Sequence, residues 1–376
     1  ETPARTGVTR ESKEGKRAAA RAGIGVRSVS SVGSGRGDAH IFVCIPSYRD
    51  PECQHTINDL FAQAARPGRV FVGVCWQVHA QDDAHCFAYP PSRPEQVRTI
   101  TVSHKRARGP CYARALAQGL WRGEEFYLQI DSHMRFVQGW DEKLISMLEE
   151  CVRICRRLPA KPIITTYPAG YSLSGKQRVP TDRRPAILCA KEFGKDGQIR
   201  LAAKTLQKAP KCPIWSRFWA AGFAFSRAEV ILEVPYDPNL ENIFFGEEAS
   251  MAVRLWTNGW DFFCPNEAVI YHLWSRKGRP TFRELKVEHS IERRAMLRVN
   301  QVLGVSNPSN ENKPPNMRRY GRGDARKLEE YEKFSGVSFR KKTITPEAKR
   351  GGAGEGCLEE DKLTGLLNVL SGLMSE

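Results

Sequence analysis

Hydrophobic positions along the chain follow two alternating rhythms. Short continuous apolar runs (AHIFVCIP from residue 39, then RVFVGVCWQ, VRTITVSH, EEFYLQID and PIITTYP) have the length and β-branched content of buried strands. Between them lie longer stretches with apolar residues three and four apart: PECQHTINDLFAQAAR, RGPCYARALAQGLW and DEKLISMLEECVRICRRL. In the first of these, Pro51 suits a helix's opening turn, and Ile57, Leu60, Phe61 and Ala64 share one face. The first strand is expected to break at Pro46. Strand and helix in alternation predict an α/β fold, a mostly parallel sheet with helices on both faces.

Downstream, the run from Arg217 to Pro238 continues the pattern, and IFFGEEASMAVRLW reads as a loop with two acids followed by a helix. A turn at Asn258-Gly259 then leads to a strand ending on His272. Residues 305–323 and KRGGAGEG near 350 read as linkers, while DARKLEEYEKFSGVSF and CLEEDKLTGLLNVLSGLM read as short helices. Three segments follow: 1–38, one large folded domain over 39–300, and a linker with a short helical extension over 301–376.

Composition changes this picture at the ends. Residues 1–38 hold almost no large apolar side chains, cannot offset the entropy of ordering, and are expected to be disordered. The net charge of +16 is concentrated: eight Lys/Arg against four Asp/Glu in residues 1–38, and eighteen against eight in residues 276–342. Such an excess attracts phosphates, nucleic acid or acidic proteins, or serves only to solubilise. The eleven cysteines include no CxxC pair, which argues against structural zinc and favours reduced thiols in the cytoplasm. No apolar run reaches the roughly 18 residues that a membrane span needs. The chain starts at Glu1 rather than Met, so an anchor or targeting segment ahead of it stays open.

In parallel sheets, ligands bind beyond the carboxyl ends of the strands. Three polar clusters lie there: Ser47-Tyr48-Arg49-Asp50, Ser103-His104-Lys105-Arg106 and Asp131-Ser132-His133. Asp131 and His133, two apart on an extended segment, project to the same side and can chelate one ion. A carboxylate with an imidazole suits Mn²⁺ or a similar divalent cation. The alternative is an aspartate that merely caps the next turn. His272, at the end of AVIY, would complete the ligand set, or would be a structural histidine.

The blocks IFVCIPSYRDPEC, RGPCYARALAQGLWRGEEFYLQIDSHMRFVQGWD, WAAGFAFSR, FFGEE and YHLW carry a resemblance that extends from about residue 40 to about residue 340. Together they resemble the glycosyltransferases of family 60, UDP-GlcNAc-dependent enzymes typified by a protozoan transferase that modifies hydroxyproline on the adaptor subunit of a ubiquitin ligase. A more distant similarity is to the polypeptide GalNAc-transferases. These share an Asp-x-His, a GGE loop before an R-x-W helix, and a later histidine, here Asp131-Ser132-His133, Gly246-Glu247-Glu248 with Arg254-Leu255-Trp256, and His272.

The resemblance implies a GT-A-like, Rossmann-type catalytic domain, a UDP-GlcNAc donor, and Mn²⁺ or another divalent cation holding the diphosphate. It also implies retaining transfer to a polypeptide hydroxyl, either hydroxyproline or Ser/Thr. Ser47, Tyr48, Arg49 and Asp50 then occupy the uridine position, with Tyr48 stacking on the base and Arg49 or Asp50 hydrogen-bonding it. Capping of the following helix is the alternative for Asp50, and Trp76-Gln77 is a second candidate for the pocket. Arg108 or Arg114 would add positive charge near the diphosphate, or Arg114 is a salt-bridged helix residue. Glu247, ahead of Glu248, would orient the acceptor hydroxyl or the sugar, or both acids serve only the helix dipole. Trp219 and Phe223, around Ala220-Ala221-Gly222, would floor the sugar site or belong to the core. The basic region after 276 would draw an acidic acceptor protein such as the ubiquitin-ligase adaptor. No nucleic-acid-binding motif appears. Two rival readings are a UDP-GalNAc-dependent transferase and a non-catalytic polyanion-binding module.

Overall fold

Strand β1 (Ile41–Tyr48) is apolar at nearly every position because both of its faces are covered. Ile41, Val43 and Ile45 enter one core cluster, while Phe42 and Cys44 enter another on the opposite side of the sheet. The computed structural model describes residues 39–155, 158–173, 179–285, 287–306, 314–354 and 357–358. The segment 1–38, and all but the first two residues of the expected C-terminal helix, lie outside the described residues.

Helix α1 (Glu52–Gln63) follows β1, and then come β2 (Val70–Val78), β3 (Val97–Ser103), helix α2 (Pro110–Gln118), β4 (Phe126–Ile130) and the short β5 (Met134–Phe136). Helix α3 (Trp140–Ile154), β6 (Pro162–Thr165), β7 (Ala169–Gly170) and a hairpin of β8 (Ala186–Phe193) and β9 (Ile199–Thr205) continue the chain. Then follow β10 (Ile214–Trp215), β11 (Phe223–Arg227), helix α4 (Glu247–Thr257), β12 (Asp261–Cys264), β13 (Ile270–His272) and helix α5 (His289–Val302). The main sheet has eight strands in the order β10-β12-β6-β11-β4-β1-β2-β3. Its pairs are parallel at β1–β2, β1–β4, β2–β3 and β6–β12; β11 runs antiparallel to β4 and β6, and β10 to β12. Helices α1 and α3 cover one face and α2 and α4 the other, as the alternation in the sequence predicts.

Three expectations are corrected. β1 runs through Pro46 to Tyr48; its pairing with β4 stops at Cys44–Gln129, so one flank is already open where the residue without an N–H arrives. The stretch expected to be one strand up to His272 is two, β12 in the main sheet and β13 in a separate three-stranded sheet, β5-β13-β7. The boundary expected after residue 300 falls inside α5. Beyond it, helix α6 (Leu328–Ser335) buries Leu328 and Tyr331, and with Val337, Phe339 and Ala348 they join the cluster that contains Trp256 of α4.

Candidate metal and donor site

The carboxyl ends of β1, β2 and β4 open into a cleft of about 280 Å³ lined by Tyr48, Gln77 and Asp131, among others. Asp131 leaves β4 with its backbone N–H on the carbonyl of Gly222. His133 follows on the same side. β13 pairs antiparallel with β5 so that His272 lies opposite Met134, and the N–H of Leu273 reaches the carbonyl of His133 at 3.0 Å. Backbone pairing thus brings in the third residue. Potential ligand atoms of Asp131, His133 and His272 all lie within 4.8 Å of one another.

The two imidazoles meet edge to face with ring centres 4.5 Å apart. His133 is buried, its Nδ1 lies 2.7 Å from Asp50 Oδ2, and its Nε2 has no hydrogen-bond partner. A buried nitrogen of this kind, next to a carboxylate and a second histidine, fits a divalent cation of borderline softness. Burial and the neighbouring His272 push the pKa of His133 down to about 3, and burial lowers that of His272, so both rings stay neutral as metal ligation requires. Burial alone would raise the pKa of Asp131, but Arg114 and the hydrogen bond with His272 hold it well below the usual carboxylate range.

A Cβ added at Gly222 would stand 2.8 Å from Asp131 Oδ2. Gly222→Ala is therefore expected to displace that carboxylate and weaken Mn²⁺ binding about tenfold, given overpacking costs of ~1–3 kcal/mol. Titration of the metal against the folded protein, with circular dichroism as the control, checks this.

Arg114, buried on α2, joins two acids. Its Nη2 lies 2.7 Å from Asp131 Oδ1 and its Nε lies 3.1 Å from Glu247 Oε1. Glu247, also buried, accepts a further bond from the Tyr236 hydroxyl at 2.9 Å. Gly246 caps α4 with φ of +93°, a conformation that favours glycine, and so sets both acids at the helix's first turn. Glu248 accepts the N–H of Ala221 at 2.9 Å and a short hydrogen bond from the Tyr167 hydroxyl, and it faces the cleft. Burial pushes its carboxyl up to about 7. Between the ordinary carboxylate value and pH 7 the native state keeps a proton that the unfolded chain releases, so stability falls as pH rises through that window. Glu248→Gln removes the charge, and its melting temperature should gain on the wild type's as pH goes from 5 to 8; a constant difference would contradict the assignment.

Other expected site residues are placed differently. Tyr48 lines the cleft with its hydroxyl 2.6 Å from Glu284. Arg49 turns away to Asp83 and Glu284, and Ser47 is fully buried beneath the surface of the cleft. Asp50 does cap α1, through the N–H of Glu52 at 3.0 Å, and its other oxygen faces His133 rather than open space. Arg108 is exposed, pairs with Glu241 and lies over Tyr112. Trp219 and Phe223 are core residues, Trp219 bordering a small internal cavity with Gln118 and Tyr127. The cluster Ser103–Arg106 forms a tight turn in which His104 packs on His79 and does not reach the cleft.

Several lining residues escaped the sequence reading: Tyr167, Arg279, the pair Phe244 and Phe245, and the β8–β9 hairpin, which contributes Glu192 and Arg200. Tyr167 sits just past the end of β6, where the strand-end rule would have found it. Arg276 also lines the cleft and has no acidic partner among the described residues.

The sequence matches the family described as Glycosyltransferase (GlcNAc) over residues 40–95 and 90–341. Comparison with curated proteins gives no match. Among solved structures, the crystal structure of GalNAc-T7 with UDP, GalNAc and Mn²⁺ is similar with a TM-score of 0.50 at 14% identity, over 71% of this chain and 48% of that one. The chain thus spans about half the length of that structure. S. aureus TarS 1–349 in complex with UDP-GlcNAc gives a TM-score of 0.44 at 13% identity, over 72% of this chain and 68% of that one. At 14% identity the likeness to GalNAc-T7 concerns the fold alone, which is the expected GT-A-like α/β architecture. No helix among the described residues is long and apolar enough to cross a membrane.

Proposed function

The chain belongs to the GlcNAc glycosyltransferase family, and from that premise we propose that it moves N-acetylglucosamine from UDP-GlcNAc to a hydroxyl of a protein. Asp131, His133 and His272 would hold Mn²⁺ or a similar cation. The observation that carries this reading is the convergence of these three side chains within 4.8 Å at the mouth of the sheet, with a buried nitrogen unpartnered on each imidazole, Nε2 of His133 and Nδ1 of His272.

Breaking the bond between sugar and phosphate leaves negative charge on the diphosphate, and a bound divalent cation supplies a counter-charge as it develops. Arg276, next to the ligand set, adds a side-chain cation to the same end of the cleft. Tyr48 and Gln77, at the ends of β1 and β2, line the end assigned to the nucleoside. Glu247 and Glu248 both line the cleft; Arg114 and Tyr236 meet Glu247 through Oε1 alone, whereas Glu248 engages Ala221 and Tyr167 through both oxygens, and one of the two acids would orient the acceptor hydroxyl or the sugar. Among the described residues no nucleophile stands out near the cleft, and transfer is read as front-face. The acceptor oxygen bonds to the anomeric carbon, the carbon–phosphate oxygen bond breaks, and the acceptor's proton passes to the departing phosphate, with retention. The basic stretch 276–342 fits an acidic acceptor protein. The eleven cysteines, with no CxxC pair in the sequence, fit a reducing compartment such as the cytoplasm.

The deciding experiment is a screen of UDP-sugars with and without Mn²⁺, reading UDP release and label on acceptor peptides that carry hydroxyproline, serine or threonine. Turnover with UDP-GlcNAc that requires the metal supports the reading. A preference for UDP-GalNAc would change the sugar, and label found on no peptide would remove the protein acceptor.

A further inference from the structure

Asp50 was expected at the uridine position, yet both of its oxygens are already engaged. Oδ1 accepts the N–H of Glu52 at 3.0 Å. Oδ2 accepts the Ser132 hydroxyl at 2.7 Å, lies 2.7 Å from Nδ1 of His133, and is reached by Nη1 of Arg279 at 3.3 Å. The side chains of Asp50, His133 and Arg279 are each no more than 6% exposed. Arg279 in turn donates to the carbonyls of Leu273 and Ser275, the first and third residues after His272. One carboxylate therefore touches His133 directly and, through Arg279, grips the backbone that carries His272.

We infer that Asp50 is the positioning residue of the metal site, fixing the tautomer and orientation of His133 and tying the His272 segment to it. The inference rests on the metal-site reading above. Every group that meets Asp50 is a donor, so the proton of His133 sits on Nδ1 and the lone pair on Nε2 is left for the cation. That accounts for a buried Nε2 with no partner in the protein. Carboxylate–histidine–metal arrangements of this type sharpen ligand orientation and basicity, and their loss costs about ten- to hundredfold in metal affinity. Asn at position 50 would set an NH₂ group against one of these donors in either orientation and would remove the negative charge.

The test is Mn²⁺ binding by the full chain without donor sugar, followed by electron paramagnetic resonance of the free ion. Asp50→Asn should bind about ten- to hundredfold more weakly than wild type, and Ser132→Ala less than about tenfold more weakly. Asn remains a good helix cap, so folding should survive, with circular dichroism as the control. A second measurement needs no variant at this position. Long-range ¹⁵N–¹H spectra of the metal-free wild type should show His133, assigned through its loss in His133→Gln, as the Nδ1–H tautomer. Equal affinity in Asp50→Asn and wild type, or an Nε2–H tautomer, overturns the inference while the metal site stands. Failure of the wild type to bind Mn²⁺ at all overturns both.

Discussion

Transfer by an Asp131→Ala, His133→Ala protein is expected to fall about 10³-fold, or ~4 kcal/mol of transition-state stabilisation. Two of the three side chains that converge within 4.8 Å are then gone, and His272 alone cannot hold a cation against water. The loss should lie in turnover at saturating Mn²⁺ as well as in metal affinity, because charge on the leaving diphosphate grows only as the bond breaks. Labelled acceptor formed over a range of Mn²⁺ concentrations measures it. Turnover equal to wild type would show that the cluster is structural and that the chemistry lies elsewhere.

Replacing Arg114 by methionine should lower stability by about 3–5 kcal/mol, since removing one partner of a buried ion pair leaves the other charge uncompensated. Glu247 would keep the Tyr236 hydroxyl but lose its guanidinium partner, and Asp131 would lose its 2.7 Å contact to Arg114. At ~2–4 °C per kcal/mol for a domain of this size, the melting temperature should drop by roughly 10 °C. Arg114→Lys keeps the charge but not the fork that reaches both acids, and should fall between the two. Scanning calorimetry decides the matter. A drop below about 2 °C would mean that the acids take up protons or water at little cost.

Much of this was legible in the residues. Alternating strand and helix rhythms marked the parallel half of the sheet, because a strand covered on both faces must be apolar throughout, as β1 is. The Asp131–His133 pair was readable from a period of two at a strand's end. His272 was nameable as a ligand, but its approach depends on the antiparallel register of β13 on β5, which no local pattern encodes. The same limit explains the misplacements. Arg49, Arg108 and Asp50 sit at the right strand or helix ends, yet which way each side chain turns was decided by partners far along the chain: Glu284, Glu241 and Arg279. Trp219 was misplaced for a related reason, since a large aromatic next to small residues reads the same in a core and in a pocket floor. The β8–β9 hairpin went unread because its alternation is interrupted by an irregularity between Ala190 and Glu192.

The register that seats His272 opposite Met134 has a consequence for how the protein is made. The proposed ligands Asp131 and His272 stand 141 residues apart in sequence, so a growing chain that has already folded β4 and β5 cannot bring the cluster together until β13 emerges and docks. On the proposed reading, loading with metal would then wait for the docking of β13. A cation held there would fasten β4 to β13 across that stretch of chain and slow their separation.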